Sequence, residues 1–270
     1  MELRVEWLGR VEYRNAWALQ HERVAARAAD QVPDTLLVLE HPAVLTLGRR
    51  GNADHVLASP QELARRGIEL IEVERGGEVT YHGPGQLVAY PIVKLAATGL
   101  LLRPFVRALE AAMADTAARY GISAGRRDGY PGCWIDLPDG VRPRKLGAVG
   151  LRVEHGVSYH GIALNVTTDL ADFQLIDPCG LPDIEATSIA REAGWTGTKA
   201  EPSTESVAEA AEWFAGATRR RLAEAATGSR ALAPHDGSAA KPTLTHRDGD
   251  ASAPAPEPRE PALSAGRPGS

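Results

Sequence analysis

The chain has 270 residues, a formal net charge of −5 and 43% hydrophobic residues, enough for one large domain or two small ones. That charge gives no electrostatic reason to expect nucleic acid as a partner. Two cysteines make no disulfide framework, and no apolar run reaches the roughly 18 residues that cross a membrane, so a soluble protein of the reducing cytoplasm is expected.

In chain order, residues 3–7 alternate and read as a first strand. Residues 15–29 read as a helix, with Asn15 as its N-cap and Trp17 and Val24 on its core face. Residues 36–39 and 44–47 are short apolar runs broken by Glu40, His41 and Pro42; length and β-branching make them strands. A basic turn over 48–51 follows, and 63–67 closes a short helix before the strand 68–73. The stretch 75–86, Arg-Gly-Gly-Glu-Val-Thr-Tyr-His-Gly-Pro-Gly-Gln, stands between this strand and another over 87–93. Glycines at this density bring the backbone close to a ligand or to another chain segment, and neither phosphate-loop nor dinucleotide spacing is present.

Residues 104–120 form the clearest helix: Pro104 suits the first turn, Phe105, Leu109, Ala112, Met113, Ala117 and Tyr120 make one apolar face, and Gly121 ends it. Residues 132–137 read as a strand whose Cys133 is a buried structural thiol, with a turn at Pro138-Asp139-Gly140. Residues 145–153 and 157–166 read as a hairpin joined near Glu154-His155-Gly156. Gly147, Gly150 and Gly161 strip side chains from one region of it, which predicts space for a ligand. Residues 173–176 lead into the tight turn Asp177-Pro178-Cys179-Gly180-Leu181. Residues 185–192 read as a short helix and 203–225 as a longer one, with Val207, Ala211, Phe214 and Leu222 inward. Helices interspersed with hairpins make the fold class α+β (mixed α/β). From 228 to 270 there is no Phe, Trp or Tyr, and Pro, Ala, Gly and Ser dominate. Such a stretch cannot bury enough apolar surface to offset its ordering entropy. The folded unit is therefore expected over 1–227, with a disordered tail over 228–270.

The polar residues in glycine-rich settings are Arg75, His82, Lys145, His160 and Cys179. Read locally, Cys179 is a packed thiol. A nearby ammonium would favour its thiolate, lowering the thiol from its usual pKa of about 8.5. Lys145, at the start of an apolar strand, either snorkels to solvent or sits desolvated, where it shuttles protons. A cysteine–lysine pair suits acyl transfer from a thioester, with backbone N–H groups holding the oxyanion. His82, His155, His160, Cys133 and Cys179 lack the spacing of a metal site. A Cys-His-Asp hydrolase would use His82 or His160 as base, with Asp177 too close in sequence to orient it.

Taken together and in this order, the runs 36–42, 46–49, 75–77, 81–86, 145–150, 160–165 and 178–180 resemble the lipoyl(octanoyl) transferase family, across about residues 3–220. The resemblance implies the fold shared by the catalytic domains of biotin and lipoate protein ligases, a central mixed sheet with flanking helices. It implies that an octanoyl group passes from octanoyl-acyl carrier protein to a cysteine as a thioester. From there it would pass to a lysine on lipoyl domains of 2-oxoacid dehydrogenases or on the glycine cleavage H protein. Cys179 would be the nucleophile and Lys145 the group that lowers its pKa and relays protons. Arg75, Gly76, Gly77, Glu78, Val79, Thr80, Tyr81 and His82, with Ala148, Val149, Gly150, Gly161, Ile162 and Ala163, would line the acyl chain. No ATP, metal or other cofactor is implied. Leu45 and Gly147 depart from the family pattern and bear on the width of the tunnel. The competing readings are an ATP-dependent lipoate or biotin ligase on the same fold, which needs no nucleophilic cysteine, and a non-catalytic acyl-binding scaffold.

Overall fold

In the computed structural model, which describes residues 2–135, 137–138, 142–177, 184–199 and 203–231, the chain first forms β1 (Arg4–Arg10), α1 (Tyr13–Ala28), β2 (Thr35–Glu40), β3 (Val44–Leu47), α2 (Pro60–Arg66), β4 (Glu69–Glu72), β5 (Val79–His82) and β6 (Gln86–Ile92). Then follow α3 (Leu95–Thr98), α4 (Leu102–Ala118), β7 (Ala124–Arg127), β8 (Tyr130–Ile135), β9 (Arg144–Glu154), β10 (Val157–Asn165), β11 (Glu185–Ala186), α5 (Ile189–Glu192) and α6 (Thr204–Ala231). Contacts divide the chain into the units Met1–Ala233 and Pro234–Ser270, and every described residue belongs to the first. Residues 178–181 of the cysteine turn, Asp139 and Gly140 of the turn after β8, and the expected tail from 232 onward lie outside the described residues.

Among the described residues, one sheet runs β1-β2-β6-β10-β9-β8-β7, with β11 added to β9. β1–β2 and β11–β9 are parallel and the other neighbours antiparallel, so the mixed sheet expected from the sequence is present. A smaller sheet, β4-β3-β5, stands apart from it.

β2, β6 and β10 are buried at every position, as near-continuous apolar runs are when both faces of a sheet are covered. On one face, α4 and α6 bring Phe105, Leu109, Met113, Phe214 and Leu222 against Leu36, Leu87, Ile162 and Leu164. On the other, α1 sets Ala16 and Val24 against Leu37, Val88, Tyr90 and Tyr159. Each fully buried Leu or Phe contributes about 1.5–3 kcal/mol, so packing of this kind, more than helix propensity, holds the helices in place. Cys133 is fully buried in the first of these clusters, as expected. No helix among the described residues is long and apolar enough to cross a membrane.

Several elements differ from the expectation, and α3 and β7 have no counterpart in it. α1 begins at Tyr13 with Glu12 as N-cap and no side-chain capping bond; Tyr13 is buried against Val44, Ile71 and Val73, and this packing overrides the cap that Asn15 offers. Residues 79–82 form β5, paired with β3, rather than part of a loop, because the flanking glycines conceal a strand-forming Val-Thr-Tyr. Residues 185–192 are not one helix. Thr187 N donates to Lys145 O (3.0 Å) and keeps 185–186 extended beside β9. Ser188 then caps a short α5, its side chain accepting from Arg191 N. α6 runs on to Ala231, past the expected end at Ala225. The hairpin over β9 and β10 is as expected: Glu154 pairs with Val157, and His155 and Gly156 take φ of +50° and +76°, the left-handed pair that a two-residue turn of matching twist requires.

Candidate active site

Pro91 has no N–H to give, so the β6–β10 ladder stops at the pair Ile162–Ala89. It resumes where Ser158 N donates to Val93 O (2.9 Å) and Ser158 Oγ donates to Pro91 O (2.6 Å). Within the gap, His160 adopts φ +52°, a strained conformation for a side chain of its size. Gly161 passes so near β6 that a Cβ would lie 1.9 Å from Ala89 O. Gln20 of α1 accepts from His160 N (2.8 Å). The His160 ring is 1% exposed, stacked on Tyr159 with centroids 4.9 Å apart and edge-on to Tyr90 at 6.4 Å.

The stretch after β4 is anchored on two sides. Gly48, Arg49 and Arg50 donate their N–H groups to the carbonyls of Glu78, Arg75 and Gly77, and Gly76 N donates to Leu151 O of β9 (3.0 Å). Arg75 is buried, and its guanidinium donates to Thr46 O (2.6 Å), Thr46 Oγ1 (2.8 Å) and Gly76 O (3.0 Å). A Cβ on Gly150 would stand 2.8 Å from Gly76 O, and one on Gly147 would stand 2.8 Å from Met113 Sδ. This corrects the reading of the hairpin glycines. The side chains missing at Gly147, Gly150 and Gly161 admit α4, the Gly76 loop and β6, while their backbones still border a cavity.

That cavity, of about 110 Å³, has room for on the order of ten waters or a short chain. Lys145, Ala148, Val149, Gly150, Gly161, Ile162 and Ala163 contribute from β9 and β10, and Arg75, Gly76, Gly77, Glu78, Val79, Thr80 and His82 from the anchored stretch and β5. Tyr81, expected among them, is elsewhere. It packs with Leu45, Leu47 and Phe173 under the small sheet and donates its hydroxyl to Asp172 Oδ2 (2.7 Å). Leu45 lies in that same cluster and does not border the cavity, whereas Gly147 does. Tyr13, Tyr90 and Phe173 also line it; the sequence offered only isolated aromatics as a sign of them. Gln86 and Asn165 line it too, and polar residues inside strands that are otherwise apolar were the signal for those.

The buried polar groups form a connected set. His41 Nδ1 donates to Val11 O (2.6 Å), which leaves Nε2 to accept from the Tyr90 hydroxyl (2.7 Å). Burial pushes His41 down to about 4. His82 Nδ1 donates to Gln86 Oε1 (2.7 Å), and burial, with the charges of His41 and Arg75, holds it well below its ordinary value. Burial also lowers His160, against the pull of Glu74, whose Oε1 is 3.9 Å from His160 Nε2. These rings are therefore neutral at neutral pH. Burial pushes Tyr13 up to about 12. From His82 the bonds continue: Gln86 Nε2 donates to Asn165 Oδ1 (2.9 Å), and Asn165 Nδ2 to Thr187 O (2.9 Å), the residue bonded to Lys145 O. Lys145 is half-buried, with Nζ 5.1 Å from the centroid of the Trp134 ring. Close by, Glu110 of α4 accepts from Gly132 N (2.9 Å). Burial raises the Glu110 carboxyl, and Arg126, Arg107 and Lys145 oppose that rise. Cys179 lies outside the described residues. Ile184, the first described residue after it, borders the cavity.

The fold, a mixed sheet with helices on both faces, is shared with solved lipoate protein ligases. The bipartite lipoate protein ligase of Thermoplasma acidophilum superposes with a TM-score of 0.57 at 15% identity, covering 84% of this chain and 91% of that one. A lipoate-protein ligase A bound with ATP gives 0.56 at 14% identity, over 84% and 94%. The sequence match is closer. A family profile described as lipoyl protein ligase A/B catalytic domain matches residues 12–212. A protein of Chloroflexus aurantiacus named octanoyltransferase is 45% identical over 214 residues, 79% of this chain and 94% of the relative. One of the same name from Syntrophobacter fumaroxidans is 48% identical over 187 residues, 69% and 79%. The chain belongs to the lipoyl protein ligase A/B catalytic domain family, and it is an acyltransferase.

Proposed function

We propose that this acyltransferase carries octanoyl groups in protein lipoylation, taking them from octanoyl-acyl carrier protein and delivering them to a lysine of lipoyl domains. These are the domains of 2-oxoacid dehydrogenases and the glycine cleavage H protein, and the setting is the cytoplasm. The observation that carries the reading is a cavity whose apolar stretch, Val79, Ala148, Val149, Ile162 and Ala163, begins beside a half-buried lysine, Lys145. Each methylene of an alkyl chain buried there contributes about 0.8 kcal/mol. The relatives named octanoyltransferase support the same acyl group.

Cys179 is the nucleophile. Its thiolate, favoured by the Lys145 ammonium, adds to the thioester carbonyl of the donor. The acyl C–S bond to the carrier breaks, the carrier thiolate takes a proton from the Lys145 ammonium, and octanoyl-Cys179 remains with Lys145 now a neutral amine. The neutral amine of the acceptor lysine then adds to that carbonyl. The bond to the Cys179 sulfur breaks, an amide forms, and the proton lost by the amine passes to the Lys145 amine, which restores the Lys145 ammonium and the Cys179 thiolate. Because the donor is already a thioester, the reaction proceeds without ATP or metal. Incubation with octanoyl-acyl carrier protein and a lipoyl domain, without nucleotide, should add one octanoyl group to the domain. Modification only with free octanoate and ATP would establish a ligase instead.

A further inference from the structure

Strands β9 and β10 give the cavity a length. Lys145 and Leu151 are six positions apart on β9, and Leu151 pairs with His160; at about 3.3 Å per residue, His160 stands about 20 Å along the strands from Lys145. An extended eight-carbon chain spans about 9 Å and a lysine side chain roughly 6 Å, with C–C bonds of about 1.5 Å. The two together use most of that distance, and the reacting thioester and the His160 ring fill the rest. The walls change along the way. Next to Lys145 they are apolar, at Ala148, Val149, Ile162 and Ala163. At the far end they are Arg75, Tyr90 and His160, and neither nitrogen of the buried His160 ring reaches a hydrogen-bond partner among the described residues.

We propose that His160 ends the acyl slot and limits the donor chain to about the length of an octanoyl group. This rests on the acyl-transfer reading above. The ring acts as a stop for two reasons. It cannot swing away, because Gln20 holds its backbone N–H, Tyr159 stacks on it, and Gly161 behind it is pressed on Ala89. It also presents an apolar chain with a polar wall, since its two buried ring nitrogens have no hydrogen-bond partner among the described residues and a methylene supplies none. Length selection follows from what the far end refuses as much as from what the near end binds.

The test is the chain-length profile of acyl-enzyme formation from octanoyl-, decanoyl- and dodecanoyl-acyl carrier protein. In the unaltered enzyme, kcat/KM should fall by about tenfold or more between octanoyl and dodecanoyl. His160→Asn shortens the side chain and tolerates left-handed backbone. It should raise the dodecanoyl-to-octanoyl ratio about tenfold, whereas a merely structural lesion lowers both rates and leaves the ratio alone. An unchanged ratio in a folded variant overturns the proposal. So does a flat profile in the unaltered enzyme, a measurement that does not depend on the variant folding. Octanoyl transfer with an unchanged ratio sinks this inference only; no transfer of any acyl group in the unaltered enzyme sinks the acyl-transfer reading with it.

Discussion

Lys145 is held from several directions. Its stem passes under Gly132, where a Cβ would sit 2.9 Å from Lys145 Cε, and its ammonium faces the Trp134 ring. Lys145→Met keeps the stem and removes the charge. The Cys179 thiol should then titrate higher and alkylate about tenfold more slowly near neutral pH; an unchanged iodoacetamide rate would remove Lys145 from the activating role. Gly132 itself takes φ +140° and donates its N–H to Glu110. Gly132→Ala places a Cβ 2.5 Å from Gly147 O, and it should cost about 1–3 kcal/mol in urea unfolding while slowing acyl transfer. Full stability in that variant would mean that β9 yields easily at the lysine.

The gap that Pro91 opens between β6 and β10 is the element that sets the site apart from an ordinary sheet. Gly161→Ala forces a Cβ into Ala89 O and should lower stability by about 1–3 kcal/mol, as overpacking does; an unchanged urea midpoint would show that the gap absorbs the methyl. At this scale the sequence was legible where one rule acted alone. Continuous apolar runs gave the strands within 35–40 and 86–92, and the long hairpin followed from two apolar runs about a His-Gly turn. Legibility failed where tertiary contacts override local preference: at the start of α1, drawn back to Tyr13; in β5, concealed by glycines; and at 185–186, held extended by Lys145 O. The same limit governed the cavity. Glycine density marked the place correctly, but only the structure shows that each missing side chain admits a neighbouring protein segment. The role of Tyr81 depended on which strand face points inward, which a run once read as loop does not specify.

Across the whole molecule, the buried histidines tie stability to pH. His41 goes from 6.5 to about 4 on burial, so the folded chain favours its neutral form. As pH falls the unfolded chain binds that proton first, and stability present above 6.5 is lost on the way down to about 4. His41 alone accounts for about 3 kcal/mol, and His82 and His160 shift in the same direction. Urea midpoints should therefore drop clearly between about pH 7 and about pH 5; a flat midpoint over that range would contradict neutral buried rings. The central claim, an acyl group carried on Cys179 beside a slot bounded by Lys145 and His160, is tested most directly by intact-mass measurement after mixing with octanoyl-acyl carrier protein alone. The prediction is a single octanoyl adduct that maps to Cys179 and is lost in Cys179→Ser. No adduct on the unaltered chain, or an undiminished one in the variant, would contradict it.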